Sequence, residues 1–260
     1  MIIRNRIKYY SDELNDDFST AKIKTEKVGK DFRFVNDSFL WKVCSWILYY
    51  IIALPIIWIV AKIYLGVKIE NRAVVKKIRK KGFFLYVNHT RMLDVFIPPL
   101  ITFPSRIYIV ANADAVSIKG LRRIVMLLGG LPIPSGFDAM PGFIKAVEKR
   151  ANEKNCIVIF PEAHIWPFYT GIRPFPAVSF GFPAGMNFPV LSATVTYRRR
   201  RGFFRFAKKP GMTVYIGEPV FPDPELTKSV RKQKLRDEIY GQMCNSSEKN
   251  EVEYIKYVKE

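Results

Sequence analysis

Residues 43–61 run for 19 positions without a charged side chain, from Val43-Cys44-Ser45-Trp46 to Ile59-Val60-Ala61. A run of ~18 or more apolar residues is long enough to cross hydrocarbon as a helix. Trp41 and Tyr64 stand at its ends, where interfacial aromatics sit. Lys42 and Lys62 flank it and can snorkel to the headgroups. Pro55 lies inside the run and leaves two forms open. One is a kinked span. The other is a pair of shorter helices that bend at Pro55 and dip into one leaflet. A core helix of a soluble domain fits less well, because the run is apolar all round.

The charge changes sharply beyond it. Between Lys62 and Lys81 there are eight basic residues and one acidic residue, Glu70. The positive-inside rule places this side in the cytoplasm, and the cluster suits anionic headgroups. The bland alternative is a basic surface helix that keeps the chain soluble. The whole chain follows the same trend: 42 Lys and Arg against 23 Asp and Glu give +19 in 260 residues. Such a field favours polyanions, whether nucleic acid, anionic lipid or phosphorylated metabolites. Cys44, Cys156 and Cys244 are odd in number and far apart, which predicts a reducing compartment without a disulfide framework. With two histidines and no Cys-x2-Cys pair, no metal site is expected. Met1 to Tyr10 lack the apolar core and cleavage site of a secretory signal.

From Gly82 onward, short apolar runs alternate with helical stretches. Strands are predicted at Phe83–Val87, Arg106–Val110, Ile157–Phe160, Val190–Thr196 and Met212–Ile216. Helices are predicted near Asp94–Leu100, Leu121–Leu128, Gly142–Arg150, Ala177–Gly185 and Ser229–Met243. The alternation implies an α/β fold, a mixed sheet flanked by helices, with the apolar run as an N-terminal membrane-anchoring helical segment. The expected division is a polar arm over 1–38, an anchor over 39–66, a catalytic domain over 67–243 and a tail over 244–260. The arm reads as loose or amphipathic, and the tail as a peripheral helix.

Sites in such sheets lie at the carboxyl ends of strands. Two segments qualify. Asn88-His89-Thr90-Arg91-Met92-Leu93-Asp94 follows the strand Phe83–Val87 and carries an imidazole and a carboxylate five residues apart. Such a pair can serve as a general base and its orienting partner. Pro161-Glu162-Ala163-His164 follows the strand Ile157–Phe160, with Pro161 stopping the strand and Glu162 presented just past it. Both histidines of the chain therefore lie beyond predicted strand ends. Gly129-Gly130-Leu131-Pro132 forms a tight turn or short strand whose small residues can line a site closely.

These residues resemble a family. Asn88-His89-x4-Asp94, Gly129 to Pro134, Phe160-Pro161-Glu162 and Phe188-Pro189-Val190-Leu191 occur in that order, over roughly residues 70–220. They look like the four sequence blocks of the glycerolipid (lysophosphatidate-type) acyltransferases. The resemblance implies that fold and a role for each position. His89 would take the proton of an acceptor hydroxyl, and Asp94 would orient His89. Asn88, Gly130, Pro161, Glu162 and Pro189 would line the substrate site. The donor would be an acyl-CoA or acyl-carrier protein, with no cofactor. The acceptor would be a lysoglycerolipid.

Two departures bear on the acceptor. The family's third block usually continues Glu-Gly-Thr-Arg, and here Ile165 holds the arginine's place. Ser135 stands where the second block often has another arginine. Neither side chain replaces a guanidinium on phosphate. Arg173, Arg122, Arg123, Lys119 and Arg91 are the cations available instead, with Arg173 ranked first; His164 is a candidate hydrogen-bonding partner. The sequence thus predicts a membrane-bound O-acyltransferase on the cytoplasmic face of an anionic cell membrane. Its rivals are a transacylase or acyltransferase for another acceptor, and a non-catalytic lipid or polyanion binder. The basic-aromatic segment Tyr197 to Phe206 suits an interfacial loop, a solvated hairpin or a nucleic-acid binder. The last has no place for the apolar run and the His–Asp block, so no nucleic acid is expected.

Overall fold

The computed structural model describes residues 6–18, 25–117 and 120–260. Its centre is a seven-stranded sheet in the order β2-β8-β7-β3-β6-β4-β5. The strands are β2 (Val67–Glu70), β3 (Phe83–Val87), β4 (Ile107–Ala111), β5 (Gly130–Pro132), β6 (Cys156–Ile159), β7 (Val190–Arg198) and β8 (Gly211–Ile216). Every pairing is parallel except β7 with β8. Parallel strands covered on both faces read as continuous apolar runs. Phe83-Phe84-Leu85-Tyr86-Val87 is such a run and is buried at every position. Phe83, Leu85 and Val87 enter one core layer, while Phe84 and Tyr86 enter the other.

The predicted strands and helices are present, with ends shifted by a few residues. The stretch read as a helix over 94–100 divides into a 3-10 turn, Met92–Phe96, and a short helix, Pro98–Thr102. Proline at the first positions of the second piece cannot continue the hydrogen bonding of the first. The strand β2 escaped the sequence reading because only four residues, Val67-Lys68-Ile69-Glu70, alternate there beside a basic run.

Both terminal segments depart from expectation. The arm is not loose: β1 (Ile7–Tyr10) pairs in parallel with β9 (Lys256–Lys259) in the tail. The tail is therefore not a peripheral helix beyond Ser247, where helix Lys228–Ser247 ends. Four-residue strands with lysine at both ends, as in β9, carry no recognisable period. This small sheet covers the loop after β6. Tyr257 stacks on Trp166 with centroids 4.9 Å apart, and the Trp166 indole donates to the Asp16 carbonyl at 2.7 Å. Further along the arm, Val28 and Phe34 are buried, and Val28 and Ser135 exchange two hydrogen bonds of 3.0 and 3.1 Å.

The apolar run forms one continuous helix, Phe39–Leu65, 27 residues long and apolar enough to cross a membrane. It does not break at Pro55. A π-helical segment, Ile47–Ala53, precedes the proline. Its wider turns relieve the clash of the ring with the preceding carbonyl, so the chain stays helical through Leu54–Ile59. Only 17% of the helix's most apolar stretch is buried, which excludes the core-helix alternative. The buried side lies lengthwise on the domain. Ser45 donates to the Leu127 carbonyl at 2.5 Å, the Tyr50 hydroxyl donates to the Pro104 carbonyl at 3.0 Å, and Ala61 and Leu65 are fully buried. At the far end Arg200 donates to the Tyr64 carbonyl at 2.5 Å, which satisfies a helix terminus with a cation.

Deletion of residues 256–260 should speed amide exchange across Ile7–Tyr10 and the loop 161–173 while leaving β3 protected. Hydrogen exchange read by mass spectrometry checks this; unchanged protection of Ile7–Tyr10 would contradict the pairing.

Candidate active site

Parallel pairing brings the carboxyl ends of β3 and β6 together, with Tyr86 opposite Ile159. The two chemistry-bearing segments leave the sheet side by side. Asn88 is the first residue past β3. Its Nδ2 donates to the Val195 carbonyl at 3.1 Å, and its Oδ1 accepts from the Val195 amide at 2.7 Å. The side chain thus extends the ladder between β3 and β7. It holds the turn and is not the substrate contact the sequence suggested, since both its polar atoms are committed to the backbone.

The next residues wrap around one carboxylate. Asp94 Oδ2 accepts from the backbone amides of Thr90 and Arg91, both at 2.7 Å, and from Thr90 Oγ1 at 3.3 Å. Asp94 is fully buried. His89 Nδ1 lies 3.5 Å from Asp94 Oδ2, and the imidazole rests on Phe160 with centroids 4.3 Å apart. His89 Nδ1 and Asp94 Oδ1 are both buried atoms without a hydrogen-bond partner. Catalytic hydrogen bonds are commonly long before substrate binds. With Nδ1 turned to the carboxylate, a base of this kind would have Nε2 as its free nitrogen.

Two residues that sequence reasoning missed support the carboxylate. The Tyr197 hydroxyl on β7 donates to Thr90 Oγ1 at 2.6 Å, and Thr90 in turn donates to Asp94. Burial and the Asp94 charge push the Tyr197 hydroxyl well above its ordinary pKa, so it remains a donor. Only the placement of β7 beside β3 links Tyr197 to Thr90 across 107 positions of sequence.

Glu162 ties the second segment to the first. Its Oε2 accepts from the His89 amide at 3.0 Å, and its Oε1 accepts from the Arg173 amide at 3.0 Å. Burial raises the Glu162 carboxyl above its usual value, against the opposing pull of the Arg173 guanidinium and the two amides. Arg173 is 1% exposed. Its guanidinium donates to the carbonyls of Glu162, His164 and Glu13 and lies over the Trp166 ring. Arg173, ranked first as the headgroup cation, is therefore a structural brace and cannot reach a ligand. Glu162 is likewise engaged from within the protein. His164 turns its ring towards the arm, with Nδ1 3.8 Å from Asp17 Oδ2. Pro161 is half-buried where β6 ends.

Two expected site residues lie elsewhere. Pro189 is buried at the amino end of β7, where its carbonyl accepts from Phe84, five residues before His89. Gly130 begins β5 on the far side of β4, and a Cβ there would meet Val125 at 2.6 Å. It is glycine so that helix Arg122–Leu128 packs closely on the strand. Ser135, the second departure, bonds the arm at Val28. Arg122 and Arg123 line a separate cavity, and Lys119 lies outside the described residues. Arg91 stays beside the His–Asp pair, with its guanidinium 5.0 Å from the Phe168 ring centre and 3.8 Å from the Met212 sulfur.

A family model described as Acyltransferase matches residues 66–220. Among solved structures, the crystal structure of the 1-acyl-sn-glycerophosphate (LPA) acyltransferase PlsC from Thermotoga maritima resembles this chain in fold. The TM-score is 0.55 at 18% identity, covering 76% of this chain and 79% of that one. No curated protein sequence matches.

Removing Arg173 strands a buried carboxylate, which costs about 3–5 kcal/mol. Arg173→Ala should lower the melting temperature by roughly 10 °C. Glu162 would then titrate higher still in the folded state, so protonation favours folding. The deficit should shrink as pH falls from 7 towards 5. Thermal melts across that range test this; a variant as stable as the parent at pH 7 would contradict the brace.

Proposed function

The chain belongs to the acyltransferase family, with the fold of a glycerolipid acyltransferase, and from that premise we propose that it acylates the hydroxyl of a membrane lysoglycerolipid in phospholipid synthesis or remodelling. The observation that carries the reading is the His89–Asp94 pair at the carboxyl end of the central strand, with Nδ1 turned to the carboxylate at 3.5 Å. Asp94 holds the proton on Nδ1. His89 Nε2 takes the proton of the acceptor hydroxyl as its oxygen attacks the thioester carbonyl of an acyl-CoA or acyl-carrier protein. The tetrahedral intermediate collapses, the C–S bond breaks, and the leaving thiolate takes the proton from the imidazolium. The products are the diacyl lipid and the free thiol. The acceptor is its own nucleophile, so no protein nucleophile is required.

The helix Phe39–Leu65 supplies the membrane contact. Its inner side is fixed to polar groups near both ends: Arg106 donates to Ser45 at 2.6 Å, and Arg200 to the Tyr64 carbonyl. Those ends are roughly 30 Å apart along the helix axis. A perpendicular span would carry Arg106 and the end of helix Arg122–Leu128 into hydrocarbon. The helix therefore lies along the membrane plane, with Ile52, Ile56, Trp58, Ile59 and Ile63 outward in one leaflet. The basic residues after it favour the anionic cytoplasmic leaflet. An acyl chain then enters from the side, without crossing water.

With Arg173 occupied, Arg91 is the cation placed for the acceptor headgroup. A contact to a charged group is worth about 1.5–3 kcal/mol, roughly tenfold or more in affinity. Purified protein in detergent, given labelled acyl thioester and a panel of lysolipids, tests the whole reading. Transfer should fall at least ~100-fold in His89→Ala. Arg91→Ala should raise the acceptor KM with the donor KM unchanged. Transfer that survives in His89→Ala removes the mechanism, and liposome binding without turnover on any donor removes the enzyme.

A further inference from the structure

A concave site lies away from His89. It is a cavity of about 570 Å³ between the arm, helix Arg122–Leu128 and the amino ends of β4 and β5. Six cations line it, namely Lys27, Lys30, Arg33, Arg122, Arg123 and Arg150, against one acid, Asp31. Among the described residues, none of Lys27, Lys30, Arg33 and Arg123 forms a salt bridge. Like charges gathered in a concavity repel one another and focus a positive field there. A bound anion relieves that repulsion.

The cations are held by aromatic rings. Arg122 lies over Phe32 with its guanidinium carbon 5.1 Å from the ring centre, and Arg150 lies over Tyr108 at 4.7 Å. Each also meets a carboxylate, Arg122 with Glu26 at 3.5 Å and Arg150 with Glu153 at 2.8 Å, so stacking and pairing orient these two forks and the four cations without a salt bridge supply the positive field. The remaining rings, Phe34 and Trp41, offer apolar surface to whatever carries the phosphate.

Strand register separates the cavity from the acyl-transfer site. Gly130 pairs with Ile109, Ile109 with Val158, and Val158 with Leu85, four residues before His89. At ~4.8 Å per strand and ~3.3 Å per residue, Gly130 and His89 are roughly 20 Å apart. The floor residues Tyr108 and Leu131 belong to the core layer opposite the long helix's packing face.

We propose that this cavity is a binding site for a phosphate ester, distinct from the acceptor site at His89. Two sources share that chemistry. Trp41 belongs to the first turn of the apolar helix, so the rim meets the membrane surface and a phospholipid headgroup can enter. A soluble phosphate ester can enter from the aqueous side. Arg123→Glu and Lys30→Glu change exposed cations without breaking an ion pair, and Lys68→Glu, on β2 at the opposite edge of the sheet, is the charge-matched control. Binding of inorganic pyrophosphate to the full chain is read by calorimetry. Partition onto phosphatidylglycerol vesicles, against phosphatidylcholine vesicles, is read by sedimentation. Each cavity variant should weaken at least one of these tenfold or more beyond the control. Loss confined to vesicles assigns the site to a headgroup, and loss confined to pyrophosphate assigns it to a soluble ester. Both affinities within twofold of Lys68→Glu would overturn the proposal.

Discussion

One buried carboxylate couples the two halves of the site. Glu162 accepts the amide of His89 with one oxygen and that of Arg173 with the other. Those amides belong to segments that leave different strands, and neither has a sheet partner at that point. An unsatisfied buried amide costs about as much as a lost hydrogen bond. The carboxylate needs a countercharge in turn, and Arg173 supplies it while bonding three carbonyls, one of them in the arm. The arm and tail then close over Trp166. The position of His89 thus depends on contacts that reach from the first strand to the last.

This arrangement reassigns roles that residue type alone suggests. A carboxylate, an arginine and a histidine within twelve positions after a strand look like a binding site. Here Glu162 and Arg173 serve each other, and His164 faces the arm. The His89–Asp94 pair sits on the neighbouring strand end, where local amides wrap the same carboxylate oxygen that the imidazole faces at 3.5 Å. Of the cations considered for an acceptor headgroup, Arg91 is the one on the same turn as that pair.

The sequence disclosed the central strands because parallel, doubly covered strands are long apolar runs, and β3 is one. It disclosed His89 and Asp94 because both belong to one short turn, where spacing and geometry are the same thing. It did not disclose Tyr197, which reaches Thr90 only through the pairing of β7 with β3. It misplaced Gly130 and Pro189, because a resemblance orders blocks along the chain and does not say at which end of a strand each falls. The terminal strands were hidden by shortness and by lysines, and they exist through one another. Pro55 suggested a break that a π-helical turn absorbs.

The central claim is that Asp94 acts on the reaction through His89. Asp94→Asn keeps the size of the side chain and an oxygen for the backbone amides, but no longer favours the proton on Nδ1. The direct measurement is steady-state acyl transfer by Asp94→Asn, with the fold checked by circular dichroism. The account predicts kcat lowered by ~10²–10⁴ with KM for donor and acceptor nearly unchanged. A folded Asp94→Asn protein with the parent's kcat would contradict it.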